Sequence, residues 1–190
     1  MRSALAWLLA VTAAAWGQAA EKVAMTTPAL AAPCVNGPKI TPQSFTGLES
    51  AFGTKMTSLK DPVDVVGGPL ALYLRDYGLT LTAGIMLVQT PTVNPFRREI
   101  SEADKVRTHE RKLAQVPPLK QAMREMVRQS ALLLGGAVAL QGTEGPALQV
   151  VVSVKVMYFP WEDTSNLPGQ IIMKADLKNA MAGHIQEEDQ

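Results

Sequence analysis

From Leu148 to Tyr158 every second residue is apolar: Leu148, Val150, Val152, Val154, Val156 and Tyr158 alternate with Gln149, Val151, Ser153, Lys155 and Met157. Strand side chains project alternately to opposite faces, so this run predicts a β-strand with one buried and one mixed face. Such a strand requires neighbours for its backbone hydrogen bonds and a second layer over its apolar face.

Neighbours are available upstream. Leu70, Leu72 and Leu74 alternate with Ala71, Tyr73 and Arg75. After Asp76-Tyr77-Gly78, the residues Leu79, Leu81, Ala83, Ile85 and Leu87 alternate with Thr80, Thr82, Gly84 and Met86. Two strands joined by a tight turn are expected, with Tyr77-Gly78 supplying the positive φ. Gly84 points to a bulge or a close backbone approach. Downstream, Pro160 ends the long strand, residues 161–169 form a loop, and Gln170 to Lys174 form a short strand, followed by a helical turn or two.

The cover must come from residues 101–134. Ser101 followed by Glu102 and Asp104 is a helix start, with a hydroxyl cap and acids at the positive end of the helix dipole. Pro117-Pro118 removes two amide donors and should split the segment into a kinked pair. Leu119, Met123, Met126, Val127, Leu133 and Leu134 give the second helix an apolar stripe, and Gly135-Gly136 is expected to stop it. In the first helix Val106, His109, Leu113 and Val116 share a face. The expected fold is α+β, in two layers. A mostly antiparallel sheet in strand-strand-helix-strand-strand order is covered by a proline-kinked helix pair.

The flanks differ in character. Met1-Arg2 precedes an apolar run to Ala15, and Gly17 and Ala19 fit the small-residue slots of a signal-peptidase site. Residues 1–19 are therefore expected to be a secretory signal, and the protein to be exported, periplasmic or extracellular. No later stretch is long and apolar enough to span a bilayer. Residues 20–60, with Pro28, Pro33, Pro38 and Pro42, are expected to be a flexible leader. The α+β domain should occupy residues 61–182, and residues 183–190 a frayed acidic tail.

Composition limits the chemistry. One Cys and two His exclude an internal disulfide framework and a multi-Cys zinc site. Cys34 has no neighbouring base, and in an oxidising compartment it can bridge two copies into a homodimer. No phosphate-cradling loop and no nucleophile elbow occur. No cofactor, metal or catalytic residue is expected. Formal net charge of +1 removes the polycationic signature of nucleic-acid binding.

Charge placement says more than charge total. Between Arg97 and Arg128 there are nine basic residues and five acidic ones. Lys120, Arg124 and Arg128 recur every four residues and line one helix face. Like charges at that spacing oppose the helix by ~0.2–0.5 kcal/mol per pair. A partner protein or an anionic envelope component would offset that cost. The simpler reading is a solvated face, or pairing with the protein's own acids across the sheet.

The short motifs Asp76-Tyr77-Gly78-Leu79, Trp161-Glu162-Asp163 and Leu167-Pro168-Gly169-Gln170-Ile171-Ile172-Met173 give the span from Leu70 to Leu177 a likeness. It resembles uncharacterised exported bacterial proteins. The resemblance implies an envelope location and carries no activity.

The leading expectation is a non-catalytic envelope protein that binds another macromolecule through the basic helix face or a sheet edge. Its contact residues would be Lys120, Arg124, Arg128, Tyr77, Trp161 and Glu162. A membrane-surface role would use the same basic helix. The alternative is a hydrolase or lyase acting on an envelope glycan. It would use the Trp161-Glu162-Asp163 loop with Tyr77 or Tyr158 nearby, and it requires those groups to meet in a cleft.

Overall fold

A computed structural model describes residues 40–91, 99–139 and 148–190. The expected signal, Cys34, Arg97, Arg98 and the turn at 142–146 lie outside these residues. Elements follow in the order α1 (Pro42–Thr57), β1 (Asp64–Leu74), β2 (Gly78–Met86), α2 (Glu102–Ala139), β3 (Gln149–Val156), β4 (Gln170–Asp176), α3 (Leu177–Ala182) and β5 (Gln186–Asp189). The fold is α+β, built on a mixed five-stranded sheet.

The strands lie side by side in chain order, β1-β2-β3-β4-β5. Three pairings are antiparallel. The central one, β2 with β3, is parallel, with Leu81 opposite Val152 and Ile85 opposite Val156. Parallel neighbours cannot be joined by a hairpin. Here α2 is the crossover and also the cover.

The alternation read from the sequence sets which face is covered. Leu79, Leu81, Ile85, Val150, Val152, Val154, Ile171 and Met173 are buried beneath the helices. Thr80, Thr82, Ser153 and Lys155 lie on the opposite face, where Leu70, Leu72 and Leu74 are about half exposed. At the β1–β2 turn Asp76 has φ 62° and Gly78 φ 133°. A Cβ on Gly78 would sit 1.9 Å from the Gln149 carbonyl oxygen. No other residue fits where the turn meets β3.

Three expectations need correction. Residues 42–57 are not a flexible leader. Pro42 stands in the first turn of α1, and the Ser44 amide donates to the Thr41 hydroxyl at the N-cap. Leu48, Phe52 and Met56, at i, i+4 and i+8, are buried in the common core. The prolines counted as helix-breaking spare this stretch, because only Pro42 falls within it, where a missing amide costs nothing.

Second, the Pro117-Pro118 pair does not divide the helix, and Gly135-Gly136 does not end it: α2 is one element of 38 residues. The two prolines deprive Leu113 and Ala114 of their i+4 donors, but both residues are exposed, where water can serve those carbonyls. Leu119, Met123, Met126, Val127, Ala131 and Leu134 are fully buried against the sheet side. That packing outweighs the roughly 3 kcal/mol a mid-helix proline costs.

Third, the expected tail is ordered: Gln186–Asp189 pairs with β4, Met173 opposite Glu187 and Ile171 opposite Asp189.

Because α1 completes the core, Phe52→Ala should destabilise the domain by about 3–5 kcal/mol, measured as a drop in the urea midpoint at unchanged m-value. A loss below ~1 kcal/mol would mean that α1 is a detachable leader.

Candidate functional site

A continuous α2 has a single rotational phase. Its buried positions in the second half, Leu119, Met126 and Ser130, extrapolate backwards in steps of three and four to Gln115, Lys112 and Thr108. All three are buried polar residues. Of the apolar face expected for the first half, Val106 and Leu113 are turned outward, 58% and 37% exposed, while Val116 packs partly against the core. Polar side chains thus enter the interior beside the loop between β3 and β4.

That loop meets them with matching groups. Lys112 Nζ donates to Glu162 Oε2 at 2.5 Å, and both side chains are only 2% exposed. The same oxygen accepts from the Phe159 amide at 2.9 Å, while Glu162 Oε1 is buried with no hydrogen-bond partner among the described residues. The ammonium lies 4.9 Å from the centre of the Tyr158 ring, a cation–π distance. The Tyr158 hydroxyl donates to the Pro168 carbonyl at 2.7 Å. Burial, and then the charge of Glu162, push the Tyr158 phenol up to about 12.

Flanking contacts extend the clamp. His109, with its proton on Nδ1, donates to the Asp163 carbonyl at 3.0 Å. Arg111 grips both carboxylate oxygens of Asp61 at 2.7 and 2.8 Å, and Gln115 donates to the Asp61 carbonyl. Trp161 stacks on Phe159 with ring centres 6.2 Å apart. Asp163, fully exposed, accepts from Ser165, which holds its carboxyl below the usual carboxylate range.

Of the groups named for a glycan cleft, Tyr158 and Glu162 meet around Lys112, and Tyr77 stands apart from them. Tyr77 sits at the β1–β2 turn, where its carbonyl accepts from Gln149 at the start of β3. Tyr158 follows the end of β3. The eight residues of that strand, about 26 Å, separate them. Glu162 is sealed in its ion pair rather than open to a substrate. Among the described residues, no three His, Cys, Asp or Glu side chains are placed to hold a metal ion.

The basic face lies elsewhere, over the sheet edge. Lys120 Nζ is 2.8 Å from Glu187 and 2.5 Å from Asp189, and Arg124 is 2.5 Å from Glu187. The strand period explains the choice: Glu187 and Asp189 share the helix-side face of β5, and Glu188, facing the other way, meets Lys174 at 2.5 Å. Arg128 is exposed. Glu125 is held below the usual carboxylate range, first by its hydrogen bond from Lys55 and to a lesser degree by the charge of Arg128.

Burial opposes the charge on Lys120, but hydrogen bonds to Asp189 and Glu187 outweigh it and raise its pKa. Glu187 is lowered, first by its hydrogen bond from Lys120. The raised lysine stabilises the docked strand until pH climbs past its ordinary 10.5. The lowered carboxylate does so until pH falls below its ordinary 4.5. The contact is therefore complete across neutral pH.

Comparison with protein-family models gave no match, and comparisons with curated proteins and with solved structures gave none either.

Two measurements check this geometry. Lys112→Met or Glu162→Leu alone should cost about 3–5 kcal/mol by urea unfolding, because each leaves a buried charge unpaired, while the double replacement should recover most of the loss. Additive losses would mean the pair is not coupled. Separately, a phenol that ionises near 12 in the fold and near 10 when unfolded makes folding less favourable as pH rises across that window. Tyr158→Phe should flatten that decline.

Proposed function

We propose that the protein is exported to the periplasm or beyond and is a non-catalytic binding protein there. It engages another macromolecule where the β4 edge runs beneath Lys120 and Arg124. The single observation that carries this reading is the seating of β5. An extended backbone adds to the β4 edge there while its alternate side chains reach two helix cations. The Gln170–Gln190 pair exchanges both backbone hydrogen bonds, at 2.9 and 3.0 Å. Main-chain pairing along an edge supplies affinity and alternate side chains supply selectivity, as in strand addition generally.

The opposite edge is poorly suited. β1 is interrupted by Gly67, Gly68 and Pro69, its register shifts between Val66 and Leu70, and the outward Ala71 amide already donates to Glu49 at 2.9 Å. Proline and bulges are the ordinary means of closing an edge to partners. Binding through the β4 side needs no cofactor. No helix among the described residues is long and apolar enough to cross a membrane. The export half of the reading rests on the signal-like residues 1–19.

An affinity purification from envelope extract, with the tagged full chain as bait, tests the binding half. The recovered partner should be lost with Lys120→Glu/Arg124→Glu and should dissociate as salt rises from about 0.1 M, where the Debye length is ~10 Å, to 1 M. A partner retained equally by bait and variant would remove the basic-edge reading. Cell fractionation checks the other half: retention of the chain in the cytoplasm at its unprocessed length would remove export.

A further inference from the structure

β5 is a ligand-like element. All four of its residues are exposed. Its helix-side contacts are carboxylates on Lys120 and Arg124, its outer contact is Glu188 on Lys174, and its backbone completes the β4 ladder. The cations it meets belong to the rest of the fold. Lys120 stands on α2 at only 18% side-chain exposure, and Lys174 stands on β4. The connection from α3 is short and turns on Gly183, the C-cap of that helix at φ 85°, a conformation that glycine adopts without strain.

We propose, resting on the reading above, that the partner segment is an acidic extended peptide with carboxylates at alternate positions. β5 is its intramolecular stand-in and must leave for the peptide to dock. The peptide would run antiparallel to β4, with two carboxylates under Lys120 and Arg124 and an intervening one over Lys174. The register of β5 fixes that pattern: Glu187 opposite Met173, Glu188 opposite Ile172, Asp189 opposite Ile171. A buried anchor is not part of the recognition, since β5 offers none. Specificity comes from charge at alternate positions and from extended backbone, and affinity falls with ionic strength.

The attached strand competes at a high effective concentration because its linker is short. Apparent affinity for an outside peptide is scaled by the fraction of molecules with the edge vacant. If β5 is docked roughly nine-tenths of the time, its release should tighten binding about tenfold. The basic face is therefore a regulated site, not a spent one.

The probe is a labelled synthetic peptide copying residues 184–190. Its control carries Glu187→Gln, Glu188→Gln and Asp189→Asn. Binding is followed by fluorescence polarisation to the full chain, to full-length Glu187→Lys/Asp189→Lys and to a chain ending at residue 185. Circular dichroism and urea unfolding verify each fold. Both altered chains should bind the acidic peptide at least tenfold more tightly than the unaltered chain. The control should bind at least tenfold more weakly than the acidic peptide. Adding Lys120→Glu/Arg124→Glu should abolish binding.

If one altered chain fails to fold, the other decides. Equal binding of acidic and neutral peptides, or no gain on releasing β5, overturns the proposal. Absence of peptide binding, with a partner still lost on Lys120→Glu/Arg124→Glu in the purification, overturns the acidic-strand assignment alone. Absence of both effects overturns the broader reading with it.

Discussion

The continuity of α2 through Pro117-Pro118 fixes what every other part of the molecule meets. One unbroken helix has one phase, and the phase is set where packing is densest, between Leu119 and Leu134. Running that phase backwards forces Thr108, Lys112 and Gln115 inward and leaves Val106 and Leu113 in solvent. Running it sideways places Lys120 and Arg124 along the flank over the sheet edge. Had the prolines separated two helices, the first could have turned its own apolar side to the interior, and Lys112 would have stayed wet.

Burying Lys112 is costly by itself, several kcal/mol for an isolated ion. The β3–β4 loop offsets that cost with Glu162, and the Phe159 amide then orients the carboxylate. The loop's path is a consequence: it must bring Glu162 beneath α2. Tyr158 and Phe159 line the approach, and Trp161 stacks on Phe159. Within this short acidic-aromatic run Glu162 thereby tethers the loop to α2, while Asp163 beside it stays exposed.

Two strands were legible because their alternation survives folding: Leu148 to Tyr158 and Leu79 to Leu87 each bury the face their period announces, whereas at the sheet edge Leu70, Leu72 and Leu74 are about half exposed and Ala71, on the other face, is buried. Three features were not legible, and each turns on a non-local term. Residues 42–57 carry a weak amphipathic pattern, and their helix depends on Phe52 and Met56 finding a core contributed by distant strands. The order in 186–189 depends on a vacant β4 edge and on cations more than 60 residues away. The burial of Lys112 depends on helix phase, which a local scan of Val106, His109, Leu113 and Val116 misreads. Of the six residues expected to share a site, Lys120 and Arg124 meet at β5 and Trp161 and Glu162 belong to the α2–loop clamp. Arg128 stays exposed, and Tyr77 is at the far end of the sheet.

The two sets of ion pairs on α2 differ in kind because they differ in solvent. Lys112 and Glu162, each 2% exposed, cannot exchange water for one another without opening the core, so that contact holds the loop as part of the fold. Glu187 and Arg124, at 25% and 45%, keep water within reach, and breaking their contact exposes no apolar side chain of β5. Exposed pairs of this sort contribute ~0–1 kcal/mol each. What holds β5 is then the sum of a short ladder and a few such pairs, comparable to what another acidic strand could offer. The same helix thus carries a buried contact at Lys112 that is committed to the core and a flank at Lys120 and Arg124 whose contacts are exchangeable, and only that flank can be selected by a partner without unfolding the domain.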